Sequence, residues 1–421
     1  MIYMHSLSSD NISVNNEILK SNRFSINNKT IYAFFLFCLI LDFGGAFGIR
    51  YSALSLVTFY VLIKMAQGQI LIPKNFLITE GFLFLILPLL IVSYSAIVYD
   101  IPLVNSLGEI TSFAIWIIYL ILINLESKDE LIKPFKKTGF ICSLIVIFTF
   151  ILIYCLILLG RLDIVLNLQT MANDFRIGFI GLTPTPGGLS YTNYPNVYYR
   201  WTMILIPISL LFLKDKKIKF LLIMTSIFLI TSTGVILFAL LGLAFYLLIN
   251  GIIKKQFVNS FVILFLGFLF LLLFSMMIDI SNVTDKLSSD SFSTSIKLGH
   301  IESALTEIFR TPTTFLFGMG LGSTFYTVGI NEFTSAIEVS HLNLIRQFGI
   351  LYFILFCSYI FVVSVKLMKT DDLGRMLGIS LISFFIAAGT NPLLLSPIFI
   401  LYLVICRTYL TLDSKEHIKQ L

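Results

Sequence analysis

Charge is what this sequence has least of. Only 12% of its 421 residues are Asp, Glu, Lys or Arg, where a soluble domain carries roughly a quarter. With 57% apolar residues and a mean hydropathy of +0.94, the chain has too little polar surface to cover itself in water. That excludes a soluble globular protein. Cysteine is scarce as well, and Cys38, Cys142, Cys155, Cys357 and Cys406 all fall in apolar runs. They read as buried small hydrophobes that cannot staple a loop, and no zinc-ligand spacing exists. No metal and no cofactor is expected. No secretory signal is legible at the start, where residues 1–29 are polar, rich in Asn and Ser, and read as a disordered tail.

What the chain does have is a succession of apolar runs long enough to cross a hydrocarbon core as helices. They lie near 30–49, 51–68, 80–99, 104–124, 139–160, 199–213, 218–232, 234–251, 257–279, 342–366, 374–390 and 392–411. Only Thr233 separates 218–232 from 234–251, so the count is about ten to twelve. The expected fold class is all-α integral membrane, a polytopic helical bundle of about twelve spans with two large outer-face loops. It forms a single membrane domain over 30–411, followed by a short tail over 412–421.

Basic residues orient the bundle. With the N-terminus inside, 21 of the 29 Lys and Arg fall on one side, which the positive-inside rule makes cytoplasmic. Both termini are then cytoplasmic. The net charge of +6 is a topology signal and gives no reason to expect nucleic acid as a partner. Arg50, Arg161, Arg176, Arg200, Lys286, Lys297, Arg310 and Arg346 remain outside. Such arginines suit an anionic ligand, because the guanidinium fork matches phosphate oxygens. Pairing with nearby acids or snorkelling to head groups is the competing reading. Asp42 and Glu109, within or near the membrane, are expected to pair internally, with Arg50 a nearby partner.

Two connections are long, 161–198 and 280–341, and both fall outside. Long loops between packed elements are uncommon unless they are functional or disordered, and these carry aromatics, turn residues and spaced charges. The first runs from Arg176 through Pro184, Pro186, Gly187 and Gly188 to Arg200. Its Tyr191, Tyr194, Tyr198, Tyr199 and Trp201 suit either an interfacial belt or a stacking surface for sugars. In the second, Ile296, Ile301, Leu305 and Ile308 predict an amphipathic helix over 294–309, able to lie on the membrane as a lid. The run Phe317-Gly318-Met319-Gly320-Leu321-Gly322 permits close approach of backbone to a ligand or to another helix. Glu338, His341, Asn343 and Arg346 then lead into an apolar span. On a helix Glu338 and His341 form an i,i+3 pair, in which the carboxylate raises the basicity of the imidazole and fixes its tautomer.

This order of elements resembles the O-antigen polymerase and O-antigen ligase superfamily of polytopic bacterial envelope proteins. The resemblance rests on Ser291–Lys297, the helix after it, Pro312, the glycine turn, and Ser340-His341-Leu342-Asn343 with Gly349 beyond. The earlier loop agrees, since polymerases of this group carry an Arg, ten residues and a Gly, the spacing of Arg176 and Gly187. Arg310 does not repeat that spacing. The resemblance implies a metal-independent membrane glycosyltransferase, an O-antigen or capsular polysaccharide polymerase of the bacterial cytoplasmic (inner) membrane. Its donor and acceptor would be oligosaccharides on undecaprenyl diphosphate at the outer face, with membrane lipids and a chain-length regulator protein as further partners. It also implies roles. His341 would be the base and Glu338 its orienting partner. Diphosphate and substrate would be held by Arg176, Arg200, Lys297, Arg310, Gly187, Gly320, Asn343 and Arg346. Two alternatives stand beside it: an O-antigen ligase acting on lipid A-core, and a lipid-linked oligosaccharide flippase or transporter. The absence of an internal repeat counts against the last.

Overall fold

In lipid a backbone can satisfy its own amides only by closing hydrogen bonds within helices or a barrel, and this chain does so with helices. The computed structural model describes residues 27–42, 44–184, 191–213, 216–230, 232–256, 258, 261, 292–390 and 393–420. The first half contains α1 (Asn28–Leu41), α2 (Ile49–Ala66), α3 (Lys74–Tyr99), α4 (Leu103–Leu122), α5 (Lys128–Leu158) and α6 (Leu162–Asp174). A hairpin of β1 (Gly178–Pro184) and β2 (Tyr191–Tyr199) follows. Next come α7 (Thr202–Phe212), α8 (Lys217–Leu229), α9 (Thr233–Ile253), α10 (Phe292–Ile308) and α11 (Pro312–Phe317). A smaller hairpin, β3 (Phe325–Thr327) and β4 (Glu332–Thr334), precedes α12 (Ser340–Met368), α13 (Asp372–Ala387) and α14 (Pro397–Gln420).

Seven helical stretches are long and apolar enough to cross a membrane: α2, α3, α4, α5, α12, Gly234–Ile253 of α9 and Pro397–Glu416 of α14. The protein is thus mostly helical, with seven candidate spans among the described residues. The other expected spans coincide with shorter helices, except 257–279, of which only residues 258 and 261 are described. At 1.5 Å per residue α7 rises only about 16 Å, roughly half the hydrocarbon thickness.

Small residues set the closest helix crossings. A side chain at Gly139 of α5 would collide with Ser209 Oγ, and one at Gly378 of α13 would meet the Ser364 carbonyl at 2.6 Å. Buried hydroxyls donate to carbonyls one turn back, as Ser143 does to Gly139 (3.0 Å) and Thr408 to Val404 (2.7 Å). Of the five cysteines, Cys38, Cys142 and Cys406 are buried as expected, Cys357 is half-buried, and Cys155 is exposed on the flank of α5.

The expected cytoplasmic connections gather at one end of the bundle. Lys128 of α5 pairs with Asp371 (3.2 Å), Asp413 (2.7 Å) and Glu416 (3.0 Å), and Lys29 with Glu130 (3.4 Å). Arg375 donates to Asn250 Oδ1 (2.9 Å), closing α13 onto the end of α9. Nearer the interior, Glu80 on a π-helical stretch of α3 is 1% exposed. Its Oε1 accepts from Arg407 Nε and from Tyr359 OH (3.2 Å). Nothing in the hydropathy pattern marked this pair.

The opposite end carries what the expected loops became. The first is a helix and an antiparallel hairpin, which the all-helical expectation did not include, running in register from Gly178↔Tyr199 to Leu182↔Pro195. Tyr199 and Trp201 stack 4.7 Å apart and are nearly buried, with Tyr199 OH 2.8 Å from Thr149 Oγ1 on α5. They fasten the hairpin to the bundle, and are therefore neither an interfacial belt nor a sugar platform. The helix expected over 294–309 is α10, packed where a lid would be free. Its inward face is His300, Ser303, Ala304 and Ile308, while Leu305 of the expected stripe is 38% exposed. Gly299 abuts Gly329, and Ser303 Oγ accepts from Val328 N at 3.0 Å.

Candidate functional site

The turn between α1 and α2 is the first part of the site. Asp42 ends α1, buried, and accepts from the backbone amides of Phe47 (3.1 Å) and Arg50 (3.3 Å). The expected Asp42–Arg50 pairing is therefore made through the Arg50 amide, a cap on α2. The Arg50 guanidinium lies over the Tyr51 ring, 4.5 Å from its centroid, and donates to the Tyr51 hydroxyl. Gly44 and Gly45 let other chain segments close on this turn. A side chain at Gly44 would meet the Arg176 carbonyl at 2.6 Å, and one at Gly45 would meet Arg50 Nη2 at 2.6 Å. Phe47 stacks on Phe175 at 4.9 Å.

Arg176 ends α6. Its amide donates to Asn173 O (3.0 Å) and the next amide to Ala172 O (3.0 Å), the two-bond pattern that closes a helix through a left-handed residue. Arg176 takes that position at φ 53°, where glycine is the ordinary choice. Arg200 leaves β2 on the neighbouring strand, its amide donating to Ile177 O at 3.2 Å. Arg50, Arg176 and Arg200 thus meet at the root of the hairpin. The Arg200 guanidinium is held below its ordinary range, first by partial burial and then by the like charges of Arg176 and Arg50, with Tyr198 opposing. Beside Arg50 a narrow crevice opens between α1, α2 and α4, walled by Leu39, Leu54, Thr111 and Ile115.

Tyr198 links this cationic patch to the second loop. Burial pushes its hydroxyl up to about 12, with Arg200 pulling it down and Glu338 pushing it further up. Glu338 faces Lys297 of α10, Nζ to Oε2 3.5 Å. His300, one turn along α10, bonds through Nδ1 to Thr327 Oγ1 at 2.7 Å, and burial lowers its pKa against the pull of Glu338. Tyr198 therefore lies in the field of both Arg200 and the Glu338 carboxylate, which is paired with Lys297.

Several expected site residues lie elsewhere. Glu338 sits on a bend ahead of α12, off any helix, and its partner is Lys297. No contact joins it to His341 among the described residues, so it does not orient that imidazole. His341 packs edge-on against Phe385 (4.7 Å) and Phe353 (6.2 Å), with a hydrogen bond to the Phe385 backbone. Arg346 is wholly buried. It donates to Ser323 O (3.1 Å), Ser323 Oγ (2.9 Å), the Ser335 carbonyl and Asn343 Oδ1 (3.0 Å), over the ring of Phe325. Arg346 and Asn343 form an internal clamp. Glu109 belongs to that clamp, hydrogen-bonded to Gln347 beside the Arg346 charge.

The glycine turn approaches helices and leaves no room for a ligand. Gly320 (φ 89°) is pressed on Ser95, whose Oγ accepts from Leu321 N at 2.8 Å, while Ser106 Oγ donates to Leu321 O at 2.7 Å. Arg310 pairs with Glu307 at 3.6 Å, is 70% exposed, and touches neither Arg176 nor Arg200 among the described residues. Gly187 lies outside the described residues. The residues that sequence reasoning undervalued are Arg50, Tyr198 and His300. The one local signal for Arg50 was the Gly44-Gly45 and Gly48 run that permits its tight turn. Comparison with family models, with curated proteins and with solved structures finds no match for this chain.

Proposed function

We infer that the protein is a membrane glycosyltransferase of the polysaccharide-polymerase kind, joining lipid-diphosphate-linked oligosaccharide units at the outer end of a bundle of about twelve spans. One observation carries the reading. Arg50, Arg176 and Arg200 approach one another from three separate segments, and Arg50 also lines a narrow crevice between α1, α2 and α4. Guanidinium groups brought together repel one another, and they suit a ligand with several phosphate charges. In transfer, the diphosphate leaves with the electron pair of the bond to the sugar, and preplaced cations stabilise that charge as it develops. The basic-rich opposite end then faces the cytoplasm of a bacterial inner membrane.

The test is the polysaccharide ladder of a deletion strain complemented with wild type and with Arg176→Ala, Arg200→Ala and Arg50→Ala. Each variant should shorten or abolish the ladder while reaching the membrane at wild-type level, and Arg176→Lys should rescue poorly because an ammonium cannot bind phosphate bidentately. A full ladder from the triple variant would refute the reading. Finished polymer left on its lipid carrier would point to a ligase, and units trapped on the cytoplasmic face to a flippase.

A further inference from the structure

We propose that Glu338, rather than His341, is the base that takes the proton of the acceptor hydroxyl, an assignment that rests on the polymerase reading. The convergence around this carboxylate is the reason. It stands on the bend before α12, half exposed, with Lys297 Nζ at 3.5 Å. Tyr198 of the hairpin and His300 of α10 both feel its charge, and Tyr198 equally feels Arg200. Lys297 of α10 thus holds a solvent-accessible carboxylate at the bend before α12, and Tyr198 of the hairpin lies in the field of both that carboxylate and Arg200. That polarity is what transfer from a lipid diphosphate requires. The acceptor oxygen attacks the anomeric carbon, and the bond from that carbon to the diphosphate oxygen breaks. The electron pair leaves toward Arg50, Arg176 and Arg200, and the hydroxyl proton passes to a Glu338 oxygen.

His341 has the wrong surroundings for that task. Its ring lies between Phe385 and Phe353, and a nitrogen is engaged with the Phe385 backbone. Ser340 beside it accepts from Leu393 N (3.0 Å) and Leu394 N (3.4 Å), so this turn of α12 is spent on holding the segment before α14. Lys297 has two roles open to it on Glu338. It can hold the carboxylate in place, or it can be the only reason the carboxylate is there.

The experiment is steady-state transfer by purified full-length protein in lipid nanodiscs, with binding of the lipid-diphosphate oligosaccharide measured separately. Glu338→Gln should lower kcat by about 10²–10⁴, the range for loss of a positioned base, while binding stays within a few-fold of wild type. Glu338→Asp should recover part of the rate, and His341→Ala should hold kcat within about tenfold. Glu338→Gln turning over like wild type, or His341→Ala showing the larger kcat loss, would overturn the assignment. So would recovery of kcat in the Lys297→Met/Glu338→Gln double variant, which would mean the carboxylate serves only to neutralise Lys297. If wild type binds the lipid diphosphate yet joins no units, the polymerase reading falls, and the assignment with it.

Discussion

Arg346 should behave as a structural clamp when it is removed, and the size of the effect follows from its partners. Arg346→Ala deletes four hydrogen bonds and the stacking over Phe325 (4.5 Å) from a residue with no exposed surface. The Ser335 carbonyl keeps a donor in Gln347 Nε2 at 3.2 Å. Ser323 O and Asn343 Oδ1 lose theirs. Each buried acceptor left unpaired costs about 1–3 kcal/mol, and a desolvated cation–π contact is worth up to about 2. The expected loss is about 4 kcal/mol, beyond the range of ordinary substitutions. It should fall on the module the clamp closes, because Arg346 ties the start of α12 to the stretch from Ser323 to Ser335 that carries β3 and β4. Arg346→Lys should lose most of this, since one ammonium cannot span Ser323, Ser335 and Asn343. Thermal unfolding in detergent, with mapped limited proteolysis, reads both the size and the place. An Arg346→Ala protein that melts and resists protease like wild type, but binds the lipid-linked substrate weakly, would refute the clamp and restore Arg346 as a ligand.

Two further outcomes are expected. Arg407→Ala leaves Glu80 buried at 1% exposure with Tyr359 alone, which should cost about 3–5 kcal/mol in a mixed-micelle unfolding equilibrium, whereas Glu80→Met/Arg407→Met should return to within about 1 kcal/mol of wild type; equal losses in both variants would contradict the ion-pair account. His300 is buried with its pKa lowered, so the fold favours the neutral ring. Its contribution is complete above the unfolded value near ~6.5 and declines as pH falls through the lower folded value. Amide exchange in Phe292–Thr334 should therefore quicken on acidification in wild type and change less in His300→Gln, and an identical pH response in the two would exclude His300 as the source.

The apolar helices were legible because lipid forces a one-dimensional signal, an apolar run of fixed length; helices stand under the expected runs that are described, and seven of them are long enough to span. The outer end was only partly legible. Arg346 and Gly320 have the residue types of a phosphate site, but a guanidinium serves a buried carbonyl clamp as well as it serves a ligand, and a glycine admits a helix as readily as a substrate. Only their neighbours decide, and those neighbours, Ser323 and Ser95, are distant in sequence or carry no pattern of their own. Glu338 was misplaced for a different reason. The helical spacing to His341 was extrapolated one turn beyond where α12 begins, and the chain bends there to reach Lys297.

The arginine patch differs from other cations on this chain in a way that backbone geometry alone does not capture. Lys255 ends α9 as Arg176 ends α6, left-handed at φ 55° and with the same pair of closing hydrogen bonds. A cation after a helix end gains from the helix dipole, which offsets part of the roughly 1–2 kcal/mol that the left-handed conformation costs. Lys255 is accounted for by that balance. Arg176 is not, because Gly44 and the hairpin bring it beside Arg50 and Arg200, where like charges oppose it. Folding gains nothing from the third cation. A multiply charged anion would add an attraction to each cation that offsets those repulsions, so the patch is more favourable occupied than empty. Adding inorganic diphosphate at low salt should therefore stabilise wild type against thermal unfolding more than it stabilises Arg50→Gln or Arg200→Gln, and the difference should shrink as salt screens it. Equal stabilisation of all three would remove the patch as an anion site.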